Sequence, residues 1–242
     1  MTQDKPLAGR LALVTGASRG IGRAVAVGFA KAGAHVILLA RTVGALEEAD
    51  DEIRAAGGAA TLVALDLKAT DKLDALGPTI LQRWGKLDIF VANAGLLGPL
   101  SPLGHITSEA WREVIDVNLT ANWHLVRALD PLLRLSDAGR AIFVSSGAAA
   151  GKNAYWGPYA VSKAGLEALA KTWANELEQT PVKVNIINPG PIRTGMRAKA
   201  FPGEDPAKLK TPDDIVPLFL RLADAAHTDT GVIHDFKTGE QR

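Results

Sequence analysis

The chain has 242 residues, 47% of them hydrophobic and 22% charged, with a formal net charge of +1. That balance suits one large folded domain or two small ones, and gives no electrostatic case for nucleic acid or an anionic membrane surface. It carries no cysteine, which excludes disulfides and thiol nucleophiles and fits a reducing, cytoplasmic setting.

The opening residues 1–6 are polar, without the apolar core of a secretory signal, and no apolar run approaches the ~20 residues of a membrane-spanning helix. Short apolar runs recur instead at 11–14, 36–40, 62–65, 89–92, 141–144, 184–187 and 232–233, alternating with helical patterns such as 24–32 and 46–56. Runs of this length without polar alternation read as strands buried on both faces. Strand and helix alternating throughout predict a single α/β domain over 1–242, doubly wound about a mostly parallel sheet of about seven strands.

The first run leads straight into Thr15-Gly16-Ala17-Ser18-Arg19-Gly20-Ile21-Gly22 and then a helix. Glycines at a strand-to-helix turn let the backbone approach a pyrophosphate, which sits against free N–H groups at the positive end of the helix. The second run ends in Leu39-Ala40-Arg41, without the acid that meets the ribose hydroxyls of NAD. Arg41, with Arg19 and Ser18, suits a 2′-phosphate and predicts NADP(H) over NAD(H); the alternative is an ordinary solvated arginine at a strand end. The acidic cluster Glu47, Glu48, Asp50, Asp51 and Glu52 reads as a solvated helix face. His35, His105, His124, His227 and His234 are scattered and read as having no pair at helical ligand spacing and no acidic partner nearby in sequence, so no metal site is expected.

The longest helical pattern runs over 158–178. Pro158 suits its first turn, Leu166, Leu169, Trp173 and Leu177 form an apolar stripe, and Ala160, Ala164 and Ala168 form a second row open to close approach by another element. Tyr159 and Lys163, four residues apart, share a face of this helix. A lysine there favours the phenolate and makes a proton-transfer pair, although the spacing also arises by chance. Residues 193–211 break the alternation and read either as a substrate lid containing a short helix or as a solvated excursion. Thr211-Pro212-Asp213-Asp214 looks like the capped start of another helix.

Taken together, the glycine turn, Asp66, Asn93-Ala94-Gly95, Asn118, Ser145-Ser146, Tyr159-x3-Lys163 and Asn188-Pro189-Gly190 with Thr194 resemble the short-chain dehydrogenase/reductase family over essentially the whole chain. The segments from Ala92 to Gly98 and from Ala200 to Pro206 are similar to a YciK-type bacterial branch of it. The resemblance implies an oxidoreductase that moves a hydride between NADP(H) and a small carbonyl or secondary alcohol. By it Tyr159 is the general acid/base, Lys163 lowers its pKa and holds the nicotinamide ribose, Ser146 binds the substrate oxygen, and Asn118 anchors a relay water. Ser145 is the rival to Ser146. Gly16, Ser18, Arg19, Gly20, Ile21, Gly22, Arg41, Asp66, Leu67, Asn93, Ala94, Gly95, Pro189, Gly190, Ile192 and Thr194 are implied to line the cofactor. A homodimer or homotetramer paired through the Tyr159 helix is implied too. Leu96, Leu97, Asn153, Trp156, Met196 and Phe201 are candidates for an apolar or aromatic substrate pocket. The other reading is an NADPH-binding regulator or scaffold, whose signature would be a damaged catalytic set, whereas Asn118, Ser146, Tyr159 and Lys163 are all present.

Overall fold

A computed structural model describes residues 5–242, so most of the polar opening lies outside the described residues. In chain order the elements are β1 (Leu11–Thr15), α1 (Gly20–Lys31), β2 (His35–Ala40), α2 (Val43–Ala55), β3 (Ala59–Ala64), α3 (Thr70–Asp74), α4 (Leu76–Trp84) and β4 (Ile89–Ala92). They continue with α5 (Ser108–Ile115), α6 (Ala121–Arg134), β5 (Arg140–Val144), α7 (Gly157–Glu176), β6 (Lys183–Asn188), α8 (Gly195–Ala200), α9 (Val216–Ala223) and β7 (Ile233–Asp235).

The strands form one seven-stranded sheet in the order β3-β2-β1-β4-β5-β6-β7, every neighbouring pair parallel. Alternation along β1 feeds two cores. Leu11 and Leu13 join Phe90, Phe143, Leu129 and Trp173 on the side of α6 and α7, while Ala12 and Val14 join Phe29, Leu46 and Phe219 on the side of α1, α2 and α9. Both faces are therefore covered, which is why the central strands read as unbroken apolar runs. β3 is the edge, and its residues are half-buried or exposed, unlike the two-sided burial read from sequence.

From β1 the chain builds outward to β3, then returns to place β4 beside β1. The two loops leaving the carboxyl ends of β1 and β4 thus diverge at a switch in winding direction, where open parallel sheets form a ligand crevice. The opposite end of these strands is tied by Asp88. Its carboxylate is fully buried and accepts from Leu11 N (2.9 Å) and Ser136 Oγ (2.6 Å), with Lys86 Nζ at 2.8 Å.

Burial pushes the Asp88 pKa up, but the donors from Lys86, Ser136 and Leu11 together hold it below the ordinary aspartate value. A depressed folded pKa contributes stability above the unfolded pKa, and that stability is lost as pH falls through the folded one. Asp88→Ala should cost about 3 kcal/mol at pH 7, because buried donors are orphaned at ~1–3 kcal/mol each. Urea melts should show the wild-type advantage shrinking as pH falls below the aspartate range; an advantage unchanged at low pH would contradict this assignment.

Candidate active site

The glycine turn after β1 is knitted to the loop after β4. Thr15 Oγ1 donates to Val91 O (3.3 Å) and accepts from the N–H groups of Asn93 (3.0 Å) and Ala94 (3.1 Å), while Asn93 Nδ2 donates to Thr15 O (2.9 Å). Gly16 has φ +66° and Gly20 φ +57°, left-handed conformations that disfavour a side chain. Gly22 is buried beneath the turn, where an added Cβ would overlap Asn93 Nδ2 and the Gly16 carbonyl. The first N–H groups of α1 have no partner inside the helix. They open onto a cleft of about 960 Å³.

Ser18, Arg19, Arg41, Asp66, Leu67, Asn93, Ala94 and Gly95 line one stretch of this cleft; Ser146, Tyr159, Lys163, Pro189, Gly190, Ile192 and Thr194 line the other. Gly16 and Ile21 line it as well, whereas Gly20, Gly22 and Asn118 stand behind the wall. Arg19 and Arg41 are exposed, and Arg41 reaches only loosely toward Asp66, at 4.0 Å.

At the catalytic end, α7 presents Tyr159 and Lys163 from one buried face. Lys163 Nζ donates to Val144 O (2.7 Å) and lies 5.9 Å from the centre of the Tyr159 ring. Burial lowers the Lys163 pKa to about 8, with Glu167 acting the other way. Burial raises the Tyr159 phenol above its ordinary value, opposed by the Ser146 hydroxyl. Sequence spacing alone points to a lowered phenol; in the fold, burial of the phenol outweighs the hydrogen bond from Ser146.

The two serines separate cleanly. Ser145 Oγ donates to Glu167 Oε1 (2.6 Å), turning away into α7, while Ser146 Oγ accepts from Ala148 N (3.2 Å) and faces the Tyr159 hydroxyl. Glu167 was not among the residues read from sequence, although its spacing of four from Lys163 on one helix was a visible signal. Asn118 lies in a π-helical turn, Asp116–Thr120. Its Oδ1 accepts from Leu96 N (2.7 Å), and its Nδ2 donates to Leu96 O (2.9 Å) and Ser162 Oγ (3.0 Å). Gly95 runs alongside, where an added Cβ would sit 3.3 Å from Asn118 Oδ1 and 3.6 Å from Lys163 Nζ. Asn118 therefore braces the 95–97 loop against α7.

Residues 193–211 hold the short helix α8 and a set of side-chain contacts. Thr194 Oγ1 caps α8 by accepting from Arg197 N (3.2 Å), and Arg197 pairs with Glu204 through two bonds of 2.6 Å. The guanidinium covers the Phe201 ring at 3.7 Å, and Phe201 lies 5.7 Å from Trp156, which lies 5.8 Å from Tyr159. Leu96, Leu97, Trp156 and Met196 line the cleft, but Asn153 is exposed and does not. At 211–214, the expected threonine cap is reversed: Asp214 Oδ2 accepts from both Thr211 N and Thr211 Oγ1.

Two further readings change in three dimensions. Asp50, taken as part of a solvated face, is buried and pairs with Arg54 at 2.8 Å. His227 and His234, read as scattered, meet each other and Asp229, because the segment after α9 folds back onto β7.

Comparison with known proteins agrees with this architecture: residues 10–205 match the short chain dehydrogenase family. The chain belongs to that family. The short-chain dehydrogenase likeness extends to the uncharacterised oxidoreductase YciK of Escherichia coli, 42% identical over 236 residues, 96% of this chain and 93% of that one. Among solved structures, a short-chain dehydrogenase of Shigella flexneri complexed with NADP superposes with TM-score 0.92 at 41% identity, covering 96% of this chain and 99% of the other. An Escherichia coli short-chain dehydrogenase complexed with NADPH gives TM-score 0.92 at 42% identity, covering 96% and 98%. As an oxidoreductase-family fold, the chain has no helix among its described residues long and apolar enough to cross a membrane.

Proposed function

We propose that this short-chain dehydrogenase is an NADP(H)-dependent enzyme interconverting a carbonyl and a secondary alcohol, with Tyr159 as the general acid/base. The observation that carries this reading is a single cleft rimmed at one end by Arg19 and Arg41 beside the glycine turn, and walled at the other by Ser146, Tyr159 and Lys163. The cleft fits a phosphate-bearing dinucleotide: the start of α1 opens onto it with its free N–H groups, and the two arginines offer charge where an adenosine 2′-phosphate would need it. The complexes of related proteins with NADP and NADPH support the same choice.

Ser18, Arg19 and Arg41 would hold the 2′-phosphate, the turn from Gly16 to Gly22 the pyrophosphate, and Asp66 and Leu67 the adenine side. Asn93, Ala94, Gly95, Lys163 and the segment Pro189, Gly190, Ile192 and Thr194 would hold the nicotinamide half. When bound, NADP(H) supplies or accepts the hydride. Tyr159, kept protonated at neutral pH by burial, gives its proton to the substrate oxygen in the reducing direction and takes it back in the other. Ser146 donates to that oxygen as negative charge builds there. Lys163 carries positive charge below about pH 8 and stabilises the phenolate left behind. Trp156 and Met196 make the substrate side apolar; Phe201, expected there from sequence, does not line the cleft and packs against Trp156 instead, and the segment 193–211 would act as a lid.

Arg41→Asp replaces a charge-assisted contact with repulsion. The ratio of NADPH to NADH affinity should fall at least about tenfold, the size of one such hydrogen bond. Fluorescence titration of both cofactors decides it: wild-type protein with equal affinity for the two, or a variant with an unchanged ratio, would remove Arg41 from the assignment.

A further inference from the structure

His227, Asp229 and His234 each offer a ligand atom, and these atoms all lie within 4.8 Å of one another. None of the three lines the catalytic cleft. The backbone holding them is pinned from several directions. His227 O accepts from Arg140 Nη2 (2.9 Å), Asp229 O accepts from Asn185 Nδ2 (2.7 Å), and His234 is set in register opposite Ile187 in the sheet.

The imidazoles are strangely placed for a purely structural role. His234 is 2% exposed, and neither of its ring nitrogens has a hydrogen-bond partner among the described residues; nor does His227 Nε2. A neutral imidazole carries one donor and one lone pair, and leaving them unmet in a buried place costs free energy. A bound cation would accept the lone pairs.

The donor set narrows which cation. Arg221 faces both rings and Arg140 faces His227. Asp229, half-exposed and 3.9 Å from His227 Nε2, supplies compensating charge, with Asp224 also facing His227. Mg²⁺ and Ca²⁺ take oxygen ligands, whereas two imidazole nitrogens with one carboxylate oxygen suit a zinc-like ion, whose binding must also outweigh the neighbouring guanidiniums. Zinc–ligand bonds of ~2.0–2.2 Å place donors about 3.4 Å apart, so the three side chains, whose ligand atoms lie within 4.8 Å of one another, would draw together on binding the ion.

We propose that His227, Asp229 and His234 form a site for a divalent transition-metal ion of the zinc class, with its remaining position open to water. The ion would tie the segment entering β7 to the strand itself. That strand is the last of the sheet and is held on its other side by backbone bonds between Ile233 and Arg242 and from Asp235 N to Glu240 O.

The test uses untagged protein stripped with chelator and titrated separately with Zn²⁺ and Co²⁺. One equivalent should bind, Co²⁺ should give the visible absorption of a four- or five-coordinate nitrogen–oxygen site, and Zn²⁺ at about a hundredfold excess over Kd should raise Tm by about 5–10 °C. Asp229→Asn, at an accessible position, should weaken Zn²⁺ binding at least about tenfold, and His227→Gln should abolish both the Co²⁺ spectrum and the Tm rise. Wild-type protein that binds no stoichiometric metal would overturn the proposal, as would folded Asp229→Asn and His227→Gln variants that bind like wild type.

Discussion

Tyr159→Phe should lower kcat/KM about 10²–10⁴-fold for every carbonyl or alcohol the enzyme accepts, the range typical of losing a positioned acid/base. The substitution removes one hydroxyl and little else. The ring is 7% exposed and packs edge-on against Trp156 at 5.8 Å, contacts that phenylalanine keeps. NADPH affinity should therefore stay near the wild-type value, as should the urea midpoint. The measurement is steady-state turnover on a carbonyl panel, followed by NADPH absorbance, beside a fluorescence titration of the same preparation. Retained turnover would sink the assignment of Tyr159, and joint loss of turnover and binding would show only a damaged cleft. Ser145→Ala and Ser146→Ala extend the comparison. Ser146 faces the phenol while Ser145 is spent on Glu167, so only the Ser146 change should approach the Tyr159→Phe defect.

Gly22→Ala should weaken cofactor binding at least about tenfold without touching any charged or reacting group. Its Cβ would push into Asn93 Nδ2 and the Gly16 carbonyl, and neither can retreat freely. Asn93 is held by its bond to Thr15 O, and Gly16 by its N–H to Leu39 O at 2.8 Å. Overpacking of this kind costs about 1–3 kcal/mol, and it moves the turn that would receive the pyrophosphate. A fall in NADPH affinity of at least about tenfold is expected, since about 1.4 kcal/mol corresponds to that factor. Gly44→Ala is the control: nothing lies within 4 Å of its added Cβ, and alanine is the better helix former. If Gly22→Ala binds NADPH as well as Gly44→Ala does, the glycine turn is not where the cofactor's phosphates sit.

Much of the architecture was legible from local pattern. Ile89–Ala92 stands where the apolar run predicted it, because a strand covered on both faces must be apolar at every position. Arg140–Val144 and Lys183–Asn188 differ from their predicted runs by a residue at one or both ends, where the flanking residues are polar. Gly16 and Gly20 announced a tight strand-to-helix turn, and the spacing of Tyr159 and Lys163 announced a shared helix face, since both properties are set within a few residues. The chain by itself thus determined the doubly wound fold, the glycine turn between β1 and α1 and the shared face of Tyr159 and Lys163.

What those side chains touch was decided by tertiary structure. Ser145 and Ser146 are indistinguishable in sequence until Glu167, brought over by α7, takes the hydroxyl of Ser145. Asn118 is filled by Leu96 and Ser162, partners 22 and 44 residues away. Tyr159 and Lys163 both lose preference for charge because elements remote in sequence bury them together, an effect that no spacing rule contains. The same reason conceals the His227, Asp229 and His234 cluster: its distances follow from how the chain enters the last strand, and burial is a property of the packed sheet, not of the residues read in order.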